Sequence, residues 1–232
     1  MNAPDSHLTD ALPSLAAELV YLDPPSIQPA RAVHELAMTA LTPGREAYWI
    51  DTRNTVSVRA LTRHAPSDRT LDGLRIARAF TAQQHHQLVR RVVRRAAHET
   101  TIVVVPRIAS LYADDSLSSP IDRTYLRASL SVLADFATTA ELPVVVTARD
   151  TDTDAELREI VETHADRTIE CSHVGPGYRY DTAGFESQWY RVEGGWQTTI
   201  PYWIDRLGVT AADELWPQTP EPFEVAPALV EG

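Results

Sequence analysis

Residues 18–41, ELVYLDPPSIQPARAVHELAMTAL, decide the fold that the sequence predicts. The first five residues form an apolar run typical of a buried strand, and residues 30–41 carry apolar side chains at helical spacing. The turn between them contains Pro24, Pro25 and Pro29 but no glycine and no lysine. Strand, turn and helix in this order are typical of an α/β domain, where ligands bind at such turns.

The same alternation of apolar runs and helical patterns continues along the chain. We predict strands at 46–52, 74–81, 101–106 and 142–148, and helices at 82–99, 123–140 and 154–165. Continuous apolar runs between helices indicate a parallel sheet covered on both faces. Residues 167–200 instead hold Gly-Pro-Gly and Gly-Gly turns between β-prone residues, which predicts antiparallel hairpins. The predicted fold class is therefore α/β, with a mainly parallel central sheet flanked by helices and C-terminal antiparallel hairpins.

The length of 232 residues suits one large domain, which we place at residues 15–208 with a short last helix at 201–208. A flexible segment, 1–14, would precede it, and an acidic, proline-rich tail, 209–232, would follow. No apolar run approaches the roughly 20 residues that span a bilayer, and no signal peptide is evident. The single cysteine, Cys171, excludes an intrachain disulfide. We therefore expect a cytoplasmic protein with no membrane partner.

The charged residues are 32 acids and 21 basic residues, all of them arginine, which gives a net charge of −11. An acid excess without lysine is typical of a halophilic archaeon, whose acidic protein surfaces stay solvated in concentrated salt. The alternative is a GC-rich genome that happens to encode an acidic protein. The absence of lysine excludes a P-loop lysine, a Schiff-base lysine and a lysine general base.

Four stretches, in order, resemble the ATPase core of the RecA/RadA recombinase family. They are AYWIDT (47–52), IARAFTAQQHHQLV (76–89), IVVVPRIASLY (102–112) and LADFATTAELPVVVTARD (133–150). The resemblance extends from about Leu15 to Arg191 and implies a RecA-like core with a nucleotide site. It also implies a RadA-type recombinase or another protein, DNA, and a second copy of the chain as candidate partners.

The residues at the phosphate loop differ from the family pattern G-x-x-x-x-G-K-[ST], which falls on residues 23–30. Asp23 and Gln28 occupy the glycine positions, Pro29 the lysine position and Ala30 the hydroxyl position. A phosphate loop binds anions through backbone N–H groups and a lysine, whereas proline has no N–H and an aspartate repels phosphate. This turn therefore predicts a poor anion site, with a degenerate Walker A motif.

The other nucleotide motifs are altered as well. Pro106 replaces the metal-binding acid of the Walker B strand, and Arg53 replaces the carboxylate that would activate water. Ala148 and Arg149 replace the Asn-Gln pair that senses the γ-phosphate, while Asp51 is retained. Phosphoryl transfer depends on positioning and electrostatics. The sequence thus predicts a non-enzymatic pseudo-ATPase with no cofactor and no metal. The resemblance implies that it binds or regulates a partner in DNA recombination or repair.

Two groups of arginines allow other interpretations. Arg53 and Arg149, at the predicted strand ends, could form an anion site without a P-loop, or they could pair with acids such as Asp51 and Asp150. Four more, Arg90, Arg91, Arg94 and Arg95, share one face of the predicted helix 82–99. They are either a binding site for DNA or an acidic partner, or a solvated helix face.

Aromatic residues are concentrated near the predicted hairpins, and they include Trp189, Trp196 and Trp203. They form either the core of the hairpin layer or an exposed surface for protein contact or base stacking. Cys171 and His173 fall short of a tetrahedral metal set, and the other histidines show no ligand spacing. Ser110 lacks the context of a nucleophile, so a hydrolase triad is unsupported.

Overall fold

The computed structural model describes residues 12–25, 29–52, 54, 56–65, 67–96, 99–113, 120–148, 155–174, 177–183, 185–192 and 195–198. The strands are β1 Leu19–Asp23, β2 Glu46–Thr52, β3 Leu74–Ala79, β4 Thr100–Val105, β5 Val144–Val146, β6 Arg167–Val174, β7 Gly177–Thr182, β8 Phe185–Val192 and β9 Gly195–Thr198. The helices are α1 Pro29–Met38, α2 Val58–His64, α3 Ala82–Arg95, α4 Pro120–Thr139 and α5 Ala155–His164, with a 3₁₀ helix at Asp68–Leu71.

The strands form one sheet in the order β3-β2-β4-β5-β1-β6-β7-β8-β9. Neighbours from β3 to β6 are parallel, whereas β6 to β9 pair as antiparallel neighbours. Since parallel neighbours need crossover connections and antiparallel ones need only short turns, this division follows the spacing of helices along the chain. The predicted fold class is confirmed.

Alternation of side chains along the strands produces two hydrophobic clusters, one on each sheet face. Leu19 and Tyr21 of β1 belong to the cluster covered by α3, α4 and α5. Val20 and Leu22, the residues between and beyond them, belong to the cluster under α1 and α2. Because β1 is buried on both faces, it has the continuous apolar sequence from which we predicted a central strand.

The observed structure differs from the predicted boundaries at both ends of α3. The strand predicted to reach residue 81 ends at Ala79, because Thr81 caps α3 by accepting a hydrogen bond from the Gln84 N–H at 3.2 Å. The helix predicted to reach residue 99 ends at Arg95, since Ala96 has extended backbone angles, φ −61° and ψ 122°. The N-terminal boundary follows from local hydrogen bonding, which apolar periodicity does not report.

Helix α2 was not predicted, because it has almost no apolar face. Its sequence, VRALTRH, buries Leu61 but exposes Val58 to 58%. The local signal is the N-cap, where the Ser57 side chain accepts a hydrogen bond from the Ala60 N–H at 3.3 Å.

The domain boundaries at residues 14 and 208 stay predictions, because residues 1–11 and 199–232 lie outside the described part of the chain. The same holds for the helix predicted at 201–208 and for the acidic tail. Among the described residues before β1, Leu12 and Leu15 pack against the cluster under α1. No helix in the described part is both long and apolar enough to span a membrane.

Candidate functional site

The carboxyl ends of β1, β2, β4 and β5 meet at one edge of the sheet. The parallel register places Tyr21 and Val105 each beside Val146. The described residues that follow β1, β4 and β5, which are Pro24, Pro106 and Thr147, therefore lie toward the same end of the sheet. In open α/β sheets this edge is where ligands bind.

The turn after β1 is proline-rich and partly buried. Asp23 accepts a hydrogen bond from the Tyr21 hydroxyl at 3.3 Å, and Pro24 and Pro25 are buried. Burial, and then the Asp23 charge, raise the pKa of the Tyr21 hydroxyl. Pro29 is the first residue of α1, a position that suits proline because the N–H there has no helical partner. Ala30 follows it and is exposed, whereas Gln28 lies outside the described residues.

Asp51, the retained acid near the end of β2, is fully buried and held on both carboxylate oxygens. Its Oδ1 accepts a hydrogen bond from the Val56 N–H at 3.1 Å. Its Oδ2 accepts one from Arg78 Nε at 3.2 Å, which forms an ion pair between neighbouring strands. The carboxylate thus anchors the turn after β2 and the arginine of β3.

The other strand ends at this edge are joined by hydrogen bonds. The single hydroxyl proton of Thr52 is shared between the Pro106 carbonyl, 3.0 Å from Oγ1, and the Arg107 carbonyl, 3.2 Å away. The Arg107 N–H donates to Thr147 Oγ1 at 2.8 Å. Arg107 adopts a left-handed backbone conformation, φ +53°, which is uncommon for a residue with a side chain. Comparison with the family motifs did not identify Thr52, Arg107 or Thr147 as site residues. Their hydrogen bonds join different strands, and no sequence pattern within one strand predicts them.

Pro106 and Ala148, the residues at two altered motif positions, are both buried. Neither side chain offers a metal ligand or a hydrogen-bond donor to a phosphate. No group of three or more His, Cys, Asp or Glu that could hold a metal ion occurs within the described ranges. Arg53 and Arg149 lie outside those ranges, so the anion site that they could form stays a prediction.

The four arginines predicted to share a helix face separate into two environments. Arg90, Arg91 and Arg94 line an open groove beside the end of β3. Arg95 lies on the other side, near the hydrogen-bonded pair Tyr48 and Glu46. The pKa of the Glu46 carboxyl is lowered by the hydrogen bond from Tyr48 and by nearby arginine charges, including that of Arg95.

The groove also contains residues that sequence analysis did not assign to a site. They come from the end of β3 and from the first turns of α3: Arg78, Phe80, Gln84, Gln87 and Leu88. The signal that could have found them is the sequence ARAF followed by a helix start, which places an arginine and a phenylalanine beside the same helix. Among the aromatics, Trp189 and Trp196 belong to β8 and β9, but their side chains, and all of Trp203, lie outside the described part.

Histidines and the cysteine take part in packing. His85 is fully buried with its Nδ1 2.8 Å from the Tyr112 hydroxyl, and His86 Nδ1 lies 2.9 Å from Ser129 Oγ. Cys171 is buried in the cluster under α1, and His173 packs edge-on against the Tyr178 ring.

Cys171 is expected to resist alkylation in the folded protein, because burial raises the pKa of its thiol to about 12. In an unfolded chain the thiol has a pKa of about 8.5. At pH 8 the thiolate fraction in the folded protein is therefore lower than in the unfolded chain by a factor on the order of a thousand. Reaction with a chromogenic disulfide at pH 8, with and without urea, measures the combined protection from the raised pKa and from burial of the sulfur. Equal rates in both conditions would contradict it.

Comparison with known proteins identifies the fold. No family model matches the chain, and no curated protein matches it. Among solved structures, it is similar to one described as the crystal structure of the RadB recombinase, with a TM-score of 0.59 and 16% identity over 80% of this chain and 92% of that chain. The predicted RecA-like fold is therefore confirmed.

Proposed function

We propose that this protein is a RecA-like pseudo-ATPase that serves as a non-catalytic binding or regulatory partner in DNA recombination or repair. The recombination context comes from the fold that it shares with the RadB recombinase. Fold alone does not carry function, so the argument for a non-catalytic protein rests on the sheet edge.

The observation that supports it is the set of hydrogen bonds at the carboxyl ends of the parallel strands, where a nucleotide would bind. Pro106 occupies the metal-acid position, and its carbonyl is hydrogen-bonded to Thr52. Asp51 uses its carboxylate oxygens for the Val56 N–H and the Arg78 guanidinium. Catalysis of phosphoryl transfer requires donors, a metal and a base aimed at the phosphate. The side chains of Asp51 and Thr52 are instead hydrogen-bonded to neighbouring backbone groups and to Arg78.

Calorimetry with ATP, ADP and GTP plus Mg²⁺, in 0.15 M and in molar KCl, tests the nucleotide part of this proposal. We expect no saturable heat, which corresponds to a Kd weaker than about 1 mM, and no phosphate release above the buffer rate. Asp51→Asn is the matched control for trace hydrolysis. Phosphate release that separates from the protein on a further column comes from a contaminant. Release that stays with the folded protein, whether or not Asp51→Asn removes it, would overturn the proposal.

Sedimentation velocity with a purified RadA-type recombinase tests the partner part. We expect a faster boundary for the mixture than for either protein alone, with and without single-stranded DNA. If both boundaries sediment unchanged under every condition, the recombinase is not the partner.

Two alternatives rest on fewer observations. A regulator that binds anions through Arg53 and Arg149 depends on residues outside the described ranges. A DNA-binding regulator that uses the arginine-rich helix must overcome the repulsion between a long polyanion and a chain of net charge −11.

A further inference from the structure

A basic surface lies on α2, on the side of the sheet that faces away from α3, α4 and α5. Four exposed side chains of this helix form what we call the α2 face: Val58, Arg59, Thr62 and Arg63. Leu61, on the opposite side of the helix, is buried in the cluster under α1 and α2. We propose that the α2 face docks an acidic amphipathic helix of a partner protein. The proposal goes beyond the proposed function, since it holds whether or not the sheet edge binds a nucleotide.

The charges of the chain are distributed unevenly along the sequence. Residues 51–95 contain ten arginines and three acids, a net charge of +7, so the rest of the chain carries −18. Helix α2 lies within this basic stretch, and its own sequence has two arginines and no acid. An acidic partner is repelled by most of the chain and attracted by this part, which confines its docking to the basic stretch.

The arginines of the α2 face differ from those of other helices in having no acid beside them. Within the described part of the chain, no carboxylate forms an ion pair with Arg59 or Arg63. Helices α1 and α5 instead place a glutamate four residues after an arginine and pair the two at 2.8 Å: Arg31 with Glu35, and Arg158 with Glu162. At the same spacing α2 carries a second arginine, which repels the first.

The position of Arg59 adds a further local cost. It is the second residue of α2, and no acid occurs in the first turn of this helix. The amino end of a helix carries a partial positive charge, so a cation there is unfavourable. Carboxylates on a docked helix would offset the charge of Arg59 and its repulsion with Arg63. The sequence of α2 is therefore better suited to an acidic partner than to solvent alone.

The shape of the surface favours a helix as the occupant. Val58 is 58% exposed, and Thr62 one turn further along donates its hydroxyl to the Val58 carbonyl at 3.0 Å. These two residues form one row of side chains, and Arg59 and Arg63 form the next. Rows of this kind receive the ridge of another helix. Two glutamates four residues apart on that helix have the same axial spacing as the two arginines, about 6 Å.

Other occupants fit the α2 face less well. An extended peptide has no strand edge to join, because the backbone of a helix is hydrogen-bonded within itself. A nucleic acid gains nothing from the exposed Val58, since its phosphates bind cations and N–H donors. It would also extend past two arginines onto a chain whose net charge is −11.

Fluorescence anisotropy with a labelled 16-residue peptide in 0.15 M KCl tests the proposal. The peptide has two glutamates four residues apart, leucines on the adjoining row, and a hydrocarbon cross-link on its far side that holds it helical. We expect saturable binding, weakened at least tenfold by Arg59→Glu/Arg63→Glu. The matched control, Arg90→Glu/Arg94→Glu, makes the same change at the same spacing on the exposed side of α3, and we expect less than a threefold change.

Changes in the ligand separate the contacts and the occupants. Replacing both glutamates of the peptide by glutamine should weaken binding at least tenfold. The proposal is overturned if the acidic peptide does not bind at millimolar concentration, or if both double variants weaken it equally. It is also overturned if a twelve-nucleotide oligo-dT binds more tightly and loses that affinity in Arg59→Glu/Arg63→Glu. Self-association in sedimentation velocity that disappears in this variant would likewise overturn it, because the occupant is then a second copy of the chain.

The stability of the free protein gives a readout that loss of folding cannot imitate. Arg59→Glu places a carboxylate in the first turn of α2 and four residues before Arg63, so it should raise Tm by about 2 °C while it weakens peptide binding. Differential scanning calorimetry without peptide measures this shift. A lower Tm for the variant would mean that contacts within the chain already hold Arg59, which would overturn the proposal.

Discussion

Arg78→Ala is expected to lower the free energy of unfolding by about 3 kcal/mol, whereas Arg75→Ala should lower it by less than about 0.5 kcal/mol. Both arginines lie on β3, and both pair with an acid of β2. They differ in the burial of that acid. Arg78 pairs with Asp51, which is fully buried, while Arg75 pairs at 3.4 Å with the partly exposed Glu46.

The physical reason is the charge that each substitution leaves behind. Without Arg78, Asp51 keeps a hydrogen bond from the Val56 N–H but loses the guanidinium that neutralises it. A buried charge that has lost its partner typically costs 3–5 kcal/mol, and water admitted where Arg78 was half-exposed should reduce this to about 3 kcal/mol. Glu46 can be solvated when Arg75 is removed, since an exposed ion pair contributes little.

Urea unfolding of the two variants and of wild type at pH 7 measures both values. The double variant Arg78→Ala/Asp51→Asn is the informative control, because it removes the buried charge together with its partner. We expect it to be more stable than Arg78→Ala alone. Equal stability losses for Arg75→Ala and Arg78→Ala would contradict the assignment of Asp51 as a buried anchor.

Asp51 shows which structural features the sequence could predict and which it could not. Strand β2 was predicted from its sequence with the observed bounds, Glu46–Thr52, and the structure buries every residue of it except Glu46, which is partly exposed. That placed Asp51 correctly at the end of a strand. Its ion pair with Arg78 joins residues 27 positions apart, and it depends on the register between two parallel strands. No periodicity within either segment encodes that register.

The arginines of α3 illustrate a similar limit. Helical spacing correctly separates exposed arginines from the buried Val89 and Val92. Helical spacing cannot predict which strand or helix lies next to each of the exposed arginines. In the fold, Arg95 approaches Tyr48 while Arg90 and Arg94 face the groove. The candidate surface is therefore narrower on the helix than predicted, and it extends onto β3 through Phe80.

A buried histidine is expected to make the folded protein sensitive to mild acid. His85 is fully buried, with its ring edge-on to that of Tyr112 and its Nδ1 2.8 Å from the Tyr112 hydroxyl. Its Nε2 is buried and has no hydrogen-bond partner among the described residues. Burial, with a smaller contribution from the His86 charge, lowers the pKa of His85 to about 3.

The direction of the effect follows from proton binding. In the unfolded chain this histidine has a pKa of about 6.5. Above pH 6.5 neither state binds the proton, so stability is unaffected by it. Between pH 6.5 and about 3 the unfolded chain binds a proton that the folded protein excludes, and stability falls as the pH falls. The slope approaches about 1.4 kcal/mol per pH unit, which amounts to about 2 kcal/mol between pH 6.5 and 4.5.

Urea unfolding of wild type and His85→Gln at pH 7.5, 6.5, 5.5 and 4.5, at constant salt, isolates this contribution from that of the carboxylates. The variant should lose less stability than wild type as the pH falls. The difference in unfolding free energy should grow by nearly 1.4 kcal/mol per pH unit, which corresponds to one proton. His86→Gln is the matched control on the next position of α3. Its ring is only half-buried, and burial and the Arg90 charge lower its pKa, so we expect a smaller change in slope. Parallel pH profiles for wild type and His85→Gln would show that the buried ring is protonated in the folded protein, and that the contact between α3 and Tyr112 tolerates a charge.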